Sequence, residues 1–150
     1  MSDVRELRDL YQEVILEHSK KPRNYGLLES ANHKVEGYNP LCGDHYTLFL
    51  KVEDGNILDI AFQGAGCAIS KASASMMTQA VKGKSAAEAE ALFTRFHDLV
   101  TGQGGDADSL GKLAVFAGVS EYPLRVKCAT LAWHAMRAAL KGEEQAVSTE

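Results

Sequence analysis

The stretch His45-Tyr46-Thr47-Leu48-Phe49-Leu50-Lys51-Val52-Glu53-Asp54-Gly55-Asn56-Ile57-Leu58-Asp59-Ile60-Ala61-Phe62-Gln63 decides the fold class. Asp54-Gly55-Asn56 is turn chemistry set between two runs rich in β-branched, aromatic and aliphatic residues, which is the sequence signature of a hairpin. The runs predict strands over His45–Glu53 and Ile57–Gln63. In the second, Leu58, Ile60 and Phe62 fall on one face, and Asp59, Ala61 and Gln63 on the other. That alternation belongs to a sheet covered on one side only. A further short strand is expected over Lys34–Tyr38.

Outward from the hairpin, the period changes to that of helices. Val4, Leu7, Leu10, Tyr11, Val14, Ile15 and His18 recur at helical spacing, with Asp3 as cap and Glu6 in the capping-box position. Pro22, within Lys20–Gly26, ends this helix because it cannot continue the ladder. On the other side, a helix starts at Cys67, with Ile69, Ala72, Met76 and Ala80 as its stripe and Gly83 as its stop. Ser85-Ala86-Ala87-Glu88 is a capping box for the next helix, which turns Ala89, Phe93, Phe96 and Val100 inward. Thr101–Asp106 reads as a surface loop and Ser109–Phe116 as a short helix. The last helix has Pro123 at its first position and runs to Leu140, with Leu124, Leu131, Ala135 and Ala139 facing in. The expected fold class is α+β: a small three-stranded antiparallel sheet packed on one face by helices, as one domain over residues 1–150. Residues 142–150 form a polar tail expected to fray.

At 150 residues, 45% hydrophobic and 24% charged, the chain has the composition of an ordinary globular domain. A net charge of −4 is the wrong sign for a general nucleic-acid binder. The N-terminus shows no secretory pattern and no apolar run reaches spanning length, so no membrane is expected and the cytoplasm is the expected location. Thiols there stay reduced and serve as ligands or nucleophiles.

The chemistry lies in three cysteines and one aspartate. Cys42 and Asp44 are in Asn39-Pro40-Leu41-Cys42-Gly43-Asp44, just before the hairpin. Cys67 follows it in Gln63-Gly64-Ala65-Gly66-Cys67-Ala68, and Cys128 is on the last helix. Taken singly, each cysteine is as well read as a small buried apolar residue, and Asp44 as an ordinary turn residue. Taken together, they offer four ligands, and zinc is the commonest occupant of a sulfur-rich four-coordinate site. A hairpin brings its outer ends together, so Cys42, Asp44 and Cys67 should meet at one end of the sheet, with Cys128 delivered from far along the chain. His45 adjoins Asp44 but alternates to the opposite face. His18, His33, His97 and His134 lack partners at ligand spacing.

Gly64-Ala65-Gly66 resembles a phosphate loop, but Ile69 stands where its third glycine would be, and no parallel βαβ unit or Walker lysine follows. Ser70, Ser73 and Ser75 form no hydrolase arrangement and read as small residues on a closely packed helix. Lys20-Lys21-Pro22-Arg23 reads as a solvated helix end, or equally as a surface that meets an acidic partner.

The motifs Asn39–Asp44, Gly64–Ser70, Arg125–Trp133 and Pro22–Gly26 jointly resemble those of the IscU/NifU family of iron–sulfur cluster assembly proteins, in consistent order over about residues 5–140. The resemblance implies the same α+β fold. Lys127 stands where scaffold-type members carry histidine, and the stretch around Thr101–Val119 is longer than theirs, which places the chain in the SufU branch. What the resemblance implies is a zinc-dependent sulfurtransferase. Such a protein takes persulfide sulfur from a SufS-type, pyridoxal-phosphate cysteine desulfurase and passes it to a downstream SUF scaffold complex. Cys42, Asp44, Cys67 and Cys128 carry over as zinc ligands, Cys42 as the sulfur acceptor and Arg125 as a basic residue beside it. The alternatives are a scaffold holding a transient iron–sulfur cluster on the same ligands, and a purely structural zinc domain.

Overall fold

The computed structural model describes residues 12–40, 43–103, 107–142 and 147–148. In chain order the elements are helix α1 (12–20), strands β1 (His33–Asn39), β2 (Asp44–Glu53) and β3 (Asn56–Ala65), and helices α2 (Ala68–Val81) and α3 (Ala86–Val100). A 3-10 segment (Ala107–Glu121), helix α4 (Pro123–Leu140) and strand β4 (Val147–Ser148) follow. Strands β1, β2 and β3 are antiparallel neighbours, as the hairpin signal predicts. The sheet has a fourth member, however, and its order is β3-β2-β1-β4.

Strand β4 corrects the expectation of a frayed tail. Val147 and Ser148 run parallel to β1 opposite Gly37 and Tyr38. A two-residue strand is held by backbone hydrogen bonds and needs no hydrophobic pattern, so composition does not reveal it. The opposite edge, β3, is covered by the turn after α1. Gly26 N–H donates to the Phe62 carbonyl (2.8 Å), Phe62 N–H to that of Asn24 (3.0 Å), and Tyr25 Oη to that of Gly64 (2.7 Å). Covering an edge in this way withholds its hydrogen-bonding groups from other chains.

A second correction concerns β3. Lys51 pairs with Asp59 but Val52 with Ile57, so Leu58 is an extra residue at a bulge. The phase of the strand flips there: Ile57, Ile60 and Phe62 are buried while Leu58 is 46% exposed. Leu124 also departs from expectation, at 59% exposure, because the first turn of α4 projects beyond the core. The segment expected as a short helix over Ser109–Phe116 is longer and of 3-10 type, with a kink at Gly111 (φ 57°). In α1, Val14, Ile15 and His18 turn inward as expected, while Val4, Leu7, Leu10, Tyr11 and the Asp3/Glu6 cap lie outside the described residues.

The core sits between the sheet and the helices. Trp133 of α4 stacks on Phe96 of α3 at 4.5 Å, and Phe96 meets Phe116 edge-on at 5.6 Å. Helices α2 and α4 cross closely because their facing residues are small, and the serines of α2 do more than fill space there. Trp133 Nε1 donates to Ser73 Oγ (3.1 Å), which donates to the Ala129 carbonyl (2.5 Å). At Gly37, an added Cβ would stand 3.2 Å from Leu131, so β1 lies close against α4. Among the described residues, no helix is long and apolar enough to cross a membrane.

His18 is buried with Nδ1 2.7 Å from Ser75 Oγ. Burial holds its pKa below the ordinary value, helped by the nearby Arg23 cation. A depressed folded-state pKa means the neutral form is favoured in the fold. Its contribution to stability is therefore complete above about pH 6.5 and lost as pH falls through the folded value. His134 is shifted in the same direction, again chiefly by burial. Denaturant midpoints of the metal-free protein at pH 7.5 and 5.5 should show a loss on acidification that is smaller in His18→Gln. Equal losses would clear His18 of any part in it.

Candidate metal centre

Register puts the candidate ligands at one end of the sheet. Asn39, the last residue of β1, is the cross-strand partner of Asp44, the first of β2, and His45 lies opposite Ala65 near the end of β3. Cys67 then caps α2, with its sulfur accepting the Ser70 N–H at 3.4 Å. Cys128 arrives on the second turn of α4, fully buried, beside the Ala129 carbonyl that Ser73 holds. One ligand atom from each of Asp44, Cys67 and Cys128 lies within 4.8 Å of the others. The expected gathering of Asp44, Cys67 and Cys128 is thus what the fold produces.

Cys42 lies outside the described residues. Arg125 is exposed on the first turn of α4, three residues before Cys128, and Lys127 is half-buried. His45 points elsewhere. It stacks on Tyr38 at 4.3 Å, and its Nε2 is 3.5 Å from Glu36 Oε1.

Each gathered acid has N–H donors. Asp44, 2% exposed, accepts from Cys67 N–H at Oδ1 (2.9 Å) and from Asn39 Nδ2 at Oδ2 (3.4 Å). The same Nδ2 is 3.4 Å from Cys128 Sγ. Hydrogen bonding draws the Cys67 thiol down to about 6, first through Cys128 and then through Ser70, against the opposing effects of burial and the Asp44 charge. Ser70 Oγ donates to the Cys67 carbonyl (3.0 Å), so the Tyr46 hydroxyl, 2.8 Å away, is the donor in their bond. Burial raises the pKa of Tyr46 and keeps it a neutral donor.

Asn39, Tyr46 and Ser70 are the functional neighbours that sequence reading missed. The one available signal was Asn39 itself, an amide at a strand end beside the Pro40–Gly43 loop.

A carboxylate and two thiols gathered within 4.8 Å, with Asp44 and Cys128 buried and Cys67 half-buried, must hold extra protons or share a cation. Two sulfurs and one oxygen form a donor set that suits zinc or iron better than magnesium or calcium. The residues therefore fit a metal.

The NifU-like N-terminal domain family matches residues 10–129. The chain belongs to this family. Its relatives include a Streptococcus pyogenes protein named iron–sulfur cluster assembly scaffold protein IscU, 47% identical over 90% of this chain and 85% of its own. A Bacillus subtilis protein named zinc-dependent sulfurtransferase SufU is 43% identical over 96% of this chain and 98% of its own. Among solved structures, a protein described as an iron–sulfur cluster assembly scaffold protein for the SUF system, from Fervidobacterium islandicum, superposes with a TM-score of 0.81 at 37% identity, covering 85% of this chain and 94% of that one. The α+β architecture is therefore the family's own.

Gly66 tests how tightly the centre is built. A Cβ there would stand 2.5 Å from Asp44 Oδ1 and 2.6 Å from both Ser70 Oγ and Tyr46 Oη. Gly66→Ala should therefore destabilise the fold by about 1–3 kcal/mol and release bound metal to chelators faster than wild type. Unchanged metal retention would show that the carboxylate can move away without consequence.

Proposed function

We propose that this chain is a zinc-dependent sulfur acceptor. It takes persulfide sulfur from a SufS-type cysteine desulfurase and passes it to a downstream SUF scaffold complex for iron–sulfur cluster assembly. The observation that carries this reading is Lys127. It adjoins Cys128 of the Asp44/Cys67/Cys128 group, and the sequence resemblance implies histidine at this position in scaffold-type members of the family. The near-complete overlap with the Bacillus relative named zinc-dependent sulfurtransferase supports it.

In this reading Asp44, Cys67 and Cys128, with Cys42, hold the metal. Bound zinc would keep the sulfurs as thiolates at neutral pH without changing redox state. Cys67 caps α2 and Cys128 lies within α4, so both are held by helices, and Cys42 is assigned the part of acceptor by the sequence resemblance. Its thiolate attacks the outer sulfur of the donor persulfide. The donor S–S bond breaks, the donor cysteine leaves as a thiolate, and Cys42 becomes the persulfide, so no external oxidant is needed. Arg125, exposed near the start of α4, supplies positive charge for the anionic donor.

The scaffold reading is supported by the 47% identical Streptococcus relative and the Fervidobacterium structure, both of which bear that name. Cysteine thiolates also ligate clusters, so the two readings differ in what the ligands do with iron.

The isolated protein should carry about one zinc per chain, with retention weakened by Asp44→Ala and unaffected by His45→Ala. Equal zinc content in the Asp44→Ala protein would remove Asp44 from the ligand set.

Alanine release by a SufS-type desulfurase, measured without iron, should accelerate with wild type and lose that acceleration with Cys42→Ala. Full stimulation by the Cys42→Ala protein would exclude Cys42 as acceptor. No stimulation by wild type, together with a cluster chromophore on adding iron, would favour the scaffold.

A further inference from the structure

Asn39 is fully buried, yet it is neither an ion nor a nucleophile. Its side-chain nitrogen carries two N–H groups, and it lies 3.4 Å from Asp44 Oδ2 and 3.4 Å from Cys128 Sγ. One amide therefore spans a ligand from β2 and a ligand from α4, which are remote in sequence. Its carbonyl oxygen, Oδ1, is buried without a hydrogen-bond partner among the described residues. Burying a carbonyl in this way is unfavourable. The opposite orientation would be worse, since Oδ1 would then face a carboxylate and a sulfur, both acceptors once ionised. Metal ligands must be ionised, so the amide is oriented as a charged centre requires.

We propose that Asn39 is a positioning residue of the metal centre. Its two N–H groups clamp Asp44 to Cys128, fixing the carboxylate's direction and withdrawing charge from the sulfur. The inference rests on the metal-centre reading above and deepens it. The clamp joins two ligands that must stay in place while Cys42, in the loop between Asn39 and Asp44, attacks the donor. Outer-shell donors of this kind tune affinity and the electron density of the ligands they touch.

The test uses cobalt(II) as the probe, because thiolate-to-cobalt absorption reports on the sulfur directly. Asn39→Leu removes the donors and the unpartnered carbonyl together on the same branched skeleton, and Asn39→Ala removes the whole amide. Both variants should bind cobalt about 10–100-fold more weakly than wild type in competition with a chelator. Their charge-transfer band should move to lower energy, because a sulfur that has lost an N–H donor gives up charge more readily. The metal-free Asn39→Leu protein should melt no lower than metal-free wild type. A purely structural role predicts the reverse, a lower melting temperature and an unmoved band.

An unshifted band and wild-type affinity in a folded Asn39→Leu protein would overturn the inference while leaving the metal centre standing. Failure of both metal-free variants to fold would make Asn39 structural and overturn it as well. A wild-type protein with no thiolate–cobalt band would overturn the metal-centre reading, and this inference with it.

Discussion

The close crossing of α2 and α4 is the constraint on which the rest depends. It is fixed where the Ser73 hydroxyl accepts from the Trp133 indole and donates to the Ala129 carbonyl. A larger residue at position 73 would push the helices apart, and a purely apolar one would strand a buried indole N–H and leave the carbonyl without its serine donor. Because Ala129 directly follows Cys128, the same contact that closes the core also sets where the last sulfur stands. The same indole stacks on Phe96 and so ties α4 to α3 as well. Core packing and site geometry are in this sense one problem with one solution.

The sheet supplies the complementary half. Three strand ends converge, so Asp44, which opens β2, and Cys67, two residues past β3, meet without any long connection. Only α4 must travel, and the core holds it in place. The donors around the site come from the same local economy of backbone: the first turn of α2 offers Ser70 N–H to Cys67 while Cys67 N–H serves Asp44. Negative charge is thus met by fixed dipoles before any cation is considered.

Much of this was legible in the sequence, for physical reasons. The hairpin announced itself through Asp54-Gly55-Asn56, α3 through its Ser85–Glu88 capping box, and α4 through Pro123. The association of Asp44, Cys67 and Cys128 followed from hairpin topology and from motif resemblance. What escaped were effects with no periodic signature. The bulge at Leu58 reverses which side chains face inward, and alternation counted across it assigns the wrong face. Leu124 has the spacing of a core residue but belongs to a turn that overhangs the core. The pairing of Val147 with β1 is backbone chemistry, indifferent to side chains. Asn39 stood inside a quoted motif, but an amide's role depends on what it faces, and only the paired ends of β1 and β2 show that.

That pairing sets a rule for how such a chain can diverge. Asn39 and Asp44 are cross-strand partners, so four residues, Pro40 to Gly43, bridge a gap of fixed width. Side chains in the bridge are free to change wherever the chemistry tolerates it. Its length is not: one residue more or fewer would slip Asp44 out of step with Asn39 and turn the carboxylate to the opposite face of the sheet. Substitution can wander here, whereas insertion and deletion should be purged, and the loop serves as a molecular ruler whose gauge outlasts its lettering.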